Sequence, residues 1–126
     1  MPTKARLSMT EYLLRFSWPS KALSSNARVH WGRKAEAKKA YRFEGKIETK
    51  NKRVAPMPDA VLWFTFHPPT NRKRDLHNMP SQMKALIDGI ADGMGCDDNQ
   101  FLCKWPDAFS EVVKGGCVLV HIKPKE

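Results

Sequence analysis

The stretch Asp59–His67, DAVLWFTFH, constrains the fold more than any other part of this chain. Ala60, Leu62, Phe64 and Phe66 fall on one side of an extended backbone, and Val61, Trp63 and Thr65 on the other, which is the two-residue period of a strand. Both sides are largely apolar, so the expectation is a central strand covered on both sides. Pro68-Pro69 ends it, because proline has no N–H for a ladder.

Other elements arrange themselves around this strand. Glu11–Trp18 reads as a strand closed by Pro19, and Ser20–Trp31, rich in Ser and Asn, reads as a loop. From Arg33 to about Asn51 the abundance of Ala and Lys predicts a helix. Lys34, Lys38, Arg42, Lys46 and Lys50 recur every fourth residue there and stack into one cationic stripe. Ala40, Phe43 and Ile47 lie on another side and are expected to face the core. A second helix is expected from near Met79 to Met94, with Met79, Met83, Leu86, Ile87, Ile90 and Met94 as its buried stripe. Gly93 and Gly95 are read as its stop signals. Gln100–Trp105 and Cys117–Ile122 complete the set as strands, the latter after a Gly115-Gly116 turn. The order β-α-β-α-β-β predicts an α+β fold, a single domain over residues 1–126 with a mixed sheet packed by helices.

Charge narrows the partner. The formal net charge is +9. Residues 1–53 hold 14 Lys/Arg against 4 Asp/Glu, whereas residues 54–126 hold 8 against 9. A basic half joined to a near-neutral half with clustered aspartates points to nucleic acid, with ordinary solubility charge as the alternative. No apolar run reaches the roughly 18 residues of a membrane span, and the N-terminal MPTKARLSMTEYLLRF has no apolar core of a secretory signal. Cys96, Cys103 and Cys117 form no C-x-x-C pair, which fits a reducing cytoplasm better than a disulfide framework.

The chemistry-bearing stretch is Arg72–Asn78, RKRDLHN, where three cations run into Asp75 and His77 follows two residues later. Downstream, Asp97 and Asp98 stand in GCDDNQF. Carboxylates with water and substrate phosphate suit Mg²⁺, but a helix of about 15 residues separates its two ends by roughly 22 Å. Spacing alone therefore leaves open whether Asp75 meets Asp98. Lys84 stands one turn before Asp88, and either faces a phosphate or forms a surface ion pair with that aspartate. No Walker loop, H-E-x-x-H or EF-hand pattern is present.

The ordered set RKRDLHN, MKALIDGI and GCDDNQF resembles the RusA family of Holliday-junction resolvases, whose signature is roughly R-R-D-L-D-N, then K-A-hydrophobic-hydrophobic-D, then D-D-x-Q-hydrophobic. WPSKALSSNARVHW (Trp18–Trp31) is similar to that family's W-P-P-S-x-N-x-R opening, and VKGGCVLVHI to its closing K-G-G strand. The resemblance implies a RusA-like fold and a homodimeric, Mg²⁺-dependent endonuclease, with Mn²⁺ as the alternative ion. It would cut four-way or related branched DNA in the cytoplasm of a bacterial or phage-infected cell, with no membrane partner.

Carried over by position, Asp75 and Asp98 match the catalytic, metal-binding aspartates and Lys84 the catalytic lysine, with Asp97 a further candidate ligand. Asn26, Arg28, Lys34, Lys38, Arg42, Arg72, Lys73 and Arg74 would contact DNA. Two departures stand out. His77 occupies the place of the family's second aspartate, and Lys84 lies about three residues farther from Asp75 than the pattern has it. Imidazole favours Mn²⁺, Fe²⁺ or Zn²⁺ over Mg²⁺, and it titrates near neutral pH. His77 is thus a replacement ligand, an acid–base group, or a residue outside the site. The alternative function is a DNA-binding protein in which the change to histidine has weakened or abolished cleavage.

Overall fold

A computed structural model describes residues 11–24, 28–97 and 100–125. Four strands form one mixed sheet: β1 (Tyr12–Ser17), β2 (Val61–His67), β3 (Leu102–Lys104) and β4 (Cys117–Lys123). Their order is β1-β4-β2-β3. β4 runs antiparallel to both β1 and β2, while β3 is parallel to β2. Among the described residues there are three helices, α1 (Trp31–Asn51), α2 (Met79–Gln82) and α3 (Lys84–Met94), and 3-10 turns occupy Lys21–Leu23 and Leu76–Asn78. The α+β class, the single domain and the mixed sheet expected from the sequence are present.

One face of the sheet carries the core. Leu14 and Phe16 of β1, Leu62, Phe64 and Phe66 of β2, and Val118, Val120 and Ile122 of β4 are buried there with Met83, Leu86, Ile90 and Met94 from the helical segment. Fully burying a side chain of this kind contributes roughly 1.5–3 kcal/mol, so this layer dominates stability. The expected methionine-rich stripe is the buried one, but its helix is interrupted. Pro80 sits in the first turn of α2, and the Met83 N–H bonds to the Pro80 carbonyl three residues back. That tighter closure separates α2 from α3.

Among the described residues no helix covers the other sheet face, which corrects the expectation of two-sided cover. Trp63 is 47% exposed, Leu13 50% and Leu102 47%. The connections β1-α1-β2 and β2-α2-α3-β3 both lay their helices on the same side. β3 is also shorter than the expected Gln100–Trp105, because Trp105 leaves the strand and stacks on Phe64 with 4.5 Å between ring centroids.

Helix α1 starts where the His30 Nδ1 accepts the Gly32 N–H at 3.1 Å, and ends as Arg53 takes a positive φ of 54°. Its buried residues are Tyr41, Gly45 and Thr49. The expected set Ala40, Phe43 and Ile47 faces outward instead, with Phe43 62% exposed. Close approach explains the difference. A Cβ on Gly45 would lie 2.7 Å from the Leu86 carbonyl oxygen, and one on Gly93 would lie 2.6 Å from the Thr49 Cβ. The two backbones come too near to admit Phe43 between them. Gly93 is therefore a packing residue within α3, and Gly95 alone ends the helix, at φ +78°.

Candidate functional site

Beyond β2 the chain turns at Pro68-Pro69 and runs through the cationic stretch into α2. Arg74 organises this turn. Its guanidinium donates to the Thr70 carbonyl (2.7 Å), the Arg72 carbonyl (3.2 Å) and the Thr70 hydroxyl (3.0 Å), and lies 5.7 Å from the centre of the Trp18 ring. Desolvation, and after it the neighbouring Arg72 charge, lower its pKa below the ordinary arginine value. Arg74 thus holds the loop that presents Arg72, Lys73 and Asp75, which are all exposed.

Asp75 caps the turn that follows. Its Oδ1 accepts the His77 N–H at 3.0 Å, the Asx geometry that starts a helical segment. The His77 side chain is exposed and makes no hydrogen bond among the described residues. Asp75 lines a cleft of about 420 Å³ with Lys21, Arg72, Lys73, Asn78 and Gln82. Gln82 also lines a second cleft, of about 700 Å³, walled by Lys38, Lys39, Arg42, Ser81, Lys84 and Asp88. Arg42 and Asp88 in turn border a third cavity, of about 310 Å³, with Asp92, Cys96 and Asp97. Three depressions therefore adjoin in a row along α2 and α3.

The predicted residues are distributed along this row. Lys84 lines the second cleft and donates to Asp88 Oδ1 at 2.8 Å, the i,i+4 ion pair that its spacing allowed. Arg42 makes a two-pronged bond to Asp92, at 2.7 and 3.1 Å, with Asp88 4.0 Å away. Lys38 is exposed on the wall of the second cleft, and Lys34 is half-buried one turn earlier. Asp97 is exposed at the far end of α3, whose 11 residues span about 16 Å. It lines a different cavity from Asp75. Arg28 is exposed, and Asn26 and Asp98 lie outside the described residues. Among the described residues, no three His, Cys, Asp or Glu side chains form a group that could hold a metal ion.

Sequence reading missed Lys21, Lys39, Ser81 and Gln82 as lining residues. Lys39 is off the every-fourth stripe, and Lys21 sits in a segment read as plain loop, so neither periodicity nor motif marks it. The three cysteines are free, and among the described residues no helix is long and apolar enough to cross a membrane.

No family model matches the chain. It is 40% identical over 114 residues to an uncharacterized protein of Xylella fastidiosa (strain Temecula1 / ATCC 700964), in an alignment spanning 86% of this chain and 74% of that protein. The chain belongs to the family of that Xylella protein. Kinship with an uncharacterized protein transfers no activity, so any functional reading rests on the clefts and on the motifs that line them.

Proposed function

We propose that the protein is a RusA-like, metal-dependent endodeoxyribonuclease that cuts Holliday junctions or related branched DNA by phosphodiester hydrolysis. One observation carries this reading: the exposed Asp75 carboxylate sits in a cleft rimmed by Lys21, Arg72 and Lys73, with Gln82 shared between it and a second cationic cleft. Cations of this kind draw in a phosphate backbone, and the carboxylate is where a bound phosphodiester would be attacked.

The donor chemistry agrees with a hard cation. Asp75 and the Asn78 amide bring oxygen donors to one cleft, and Mg²⁺ takes one or two protein carboxylates beside water and substrate phosphate. Asp75 is the proposed ligand of Mg²⁺, or of Mn²⁺, in this cleft, with His77 a further candidate beside it and Asp98 proposed on the resembled family's pattern alone. Such an ion supplies Lewis-acid stabilisation of charge on the phosphate. Arg72 and Lys73 position the backbone, while Arg74 keeps their loop in shape. Following the resembled family, the proposal includes a homodimer working in the cytoplasm of a bacterial or phage-infected cell.

A second reading, DNA binding without cleavage, is favoured by Lys84. Its ammonium is directed to Asp88 in the neighbouring cleft, and His77 stands where the family pattern has a carboxylate. Cleavage assays on a labelled four-way junction and a linear duplex, with Mg²⁺ or Mn²⁺, separate the two. The nuclease reading expects metal-dependent nicking of the junction that Asp75→Asn and Asp98→Asn abolish. Junction binding with no nicking under either metal would establish the second reading.

A further inference from the structure

The open face of the sheet lies opposite the helices, so it is separate from the Asp75 cleft, and it has a composition of its own. Strand alternation places Leu13 and Arg15 of β1, Leu119, His121 and Lys123 of β4, Trp63 of β2, and Leu102 and Lys104 of β3 on this side. The register aligns Leu13, His121, Trp63 and Lys104 in one row across all four strands. Three steps of about 4.8 Å make that row roughly 14 Å long.

Trp63 is its centre. The ring is 47% exposed, and the ammonium groups of Lys104 and Lys123 each lie 5.9 Å from its centroid. Exposed Leu13 and Leu102 flank it. Arg15 adds a third cation, and Glu11 is the acid at the margin, 3.3 Å from His121 Nε2. An aromatic ring bracketed by cations on a solvent-facing sheet offers stacking to a base and counter-charge to the phosphates beside it.

We propose that this face binds single-stranded DNA, with a base stacked on Trp63 and adjacent phosphates held by Lys104 and Lys123. Charge complementarity selects this occupant over a second copy of the chain. Two such faces apposed would bring Lys104, Lys123 and Arg15 of each copy against their like-charged counterparts, whereas a polyanion neutralises all three. An exposed ring on a sheet face also suits unstacked bases better than a duplex, whose bases are turned inward. The choice of DNA over RNA rests on the proposed nuclease reading. Binding can be measured without cleavage, so the two proposals fail separately.

The test is fluorescence anisotropy of a labelled oligothymidylate in EDTA, beside an abasic strand of equal length and an oligouridylate. Trp63→Ala is expected to weaken oligothymidylate binding on the order of tenfold and to leave the abasic strand unaffected. Trp63→Phe, which keeps a stacking ring, should retain most of the affinity and shows that the effect is not one of folding. Lys104→Gln and Lys123→Gln, both at solvent-facing positions, should each reduce the slope of log affinity against log salt by about 0.7. Equal binding by wild type and Trp63→Ala would overturn the proposal. So would a wild-type dimer in sedimentation that Trp63→Ala converts to monomer with DNA affinity unchanged, since the face would then belong to a second copy. Tighter binding of oligouridylate would overturn the choice of DNA.

Discussion

Gly89 of α3 rests against the backbone of Arg42 in α1, so closely that a methyl group on Gly89 would overlap the Arg42 carbonyl. This contact sets how near the two helices come, and through it which face of α1 is buried. It also fixes the base of the Arg42 side chain, which reaches across to Asp92 between the second and third depressions. A packing constraint thus positions a side chain that lines two of the three depressions.

Gly89→Ala should therefore destabilise the protein despite alanine's better helix propensity. Overlap this severe with rigid backbone takes the upper end of the usual overpacking cost, about 3 kcal/mol, against a propensity gain of about 1 kcal/mol, so the expected loss is about 2 kcal/mol. Gly95→Ala is the contrast. Its Cβ would meet nothing, and only the left-handed backbone at φ +78° opposes it, at about 1 kcal/mol. Urea unfolding of the two variants should rank them in that order.

Tyr41 ties α1 to the end of β1. Its hydroxyl donates to the Ser17 carbonyl at 2.8 Å, beside Glu44, which accepts from the Ser17 N–H and hydroxyl at 2.7 and 2.6 Å. Burial first, and the Glu44 charge second, raise the Tyr41 pKa well above the ordinary tyrosine value. The folded state therefore keeps a proton that the unfolded chain releases near pH ~10. The Tyr41 contribution is complete below that pH and falls as pH rises above it. Tyr41→Phe should cost about 1 kcal/mol at neutral pH through the lost hydrogen bond. Urea unfolding at rising pH should show the gap to wild type closing once pH passes ~10.

What the sequence made legible follows from where each signal resides. The strand at Val61–His67 and the Met79–Met94 stripe announce themselves because their apolar residues keep the period of the element they form. The buried face of α1 did not, because Gly45 and Thr49 are buried for being small, and hydrophobicity pointed to Phe43. Nor could β2 reveal that Trp63 faces solvent, since the side on which both helices settle is a tertiary choice. Asp75 was legible as a loop carboxylate after a central strand. Its cleft was not, because Trp18 and Lys21 reach it from a distant segment. Whether Asp75 meets Asp98 was not legible, because helix length alone leaves that relation open and Asp98 lies outside the described residues.

Under the proposed DNA-binding role, cations along the row should differ in how much they contribute to affinity. Lys73 is exposed at the rim of the Asp75 cleft, whereas Arg42 already has both prongs on Asp92. A phosphate must displace a carboxylate to engage Arg42. Lys73→Gln is expected to lower the slope of log affinity against log salt by about 0.9 on duplex arms, while Arg42→Gln leaves it nearly unchanged. With side chains 53% and 34% exposed, the Arg42–Asp92 pair should add only about 0.5 kcal/mol to stability. Titrations of a four-way junction over a salt series, with melting curves for both variants, check each part.

His77 is the position from which metal preference is best read. Its backbone N–H is held by Asp75 Oδ1 while its side chain faces solvent, so His77→Asp places a second carboxylate two residues after the first without disturbing packing. Exposed substitutions of this kind shift stability by about 0.5 kcal/mol or less. Hard Mg²⁺ takes oxygen donors, whereas imidazole favours softer ions. If His77 neighbours the metal, His77→Asp should raise Mg²⁺-dependent nicking of a four-way junction on the order of tenfold relative to Mn²⁺-dependent nicking, a shift of about 1.4 kcal/mol in relative barrier. Parallel time courses in the two metals measure this ratio directly. An unchanged ratio, with Asp75→Asn still inactive, would place His77 outside the metal's surroundings and leave Asp75 as the ligand supplied by this loop.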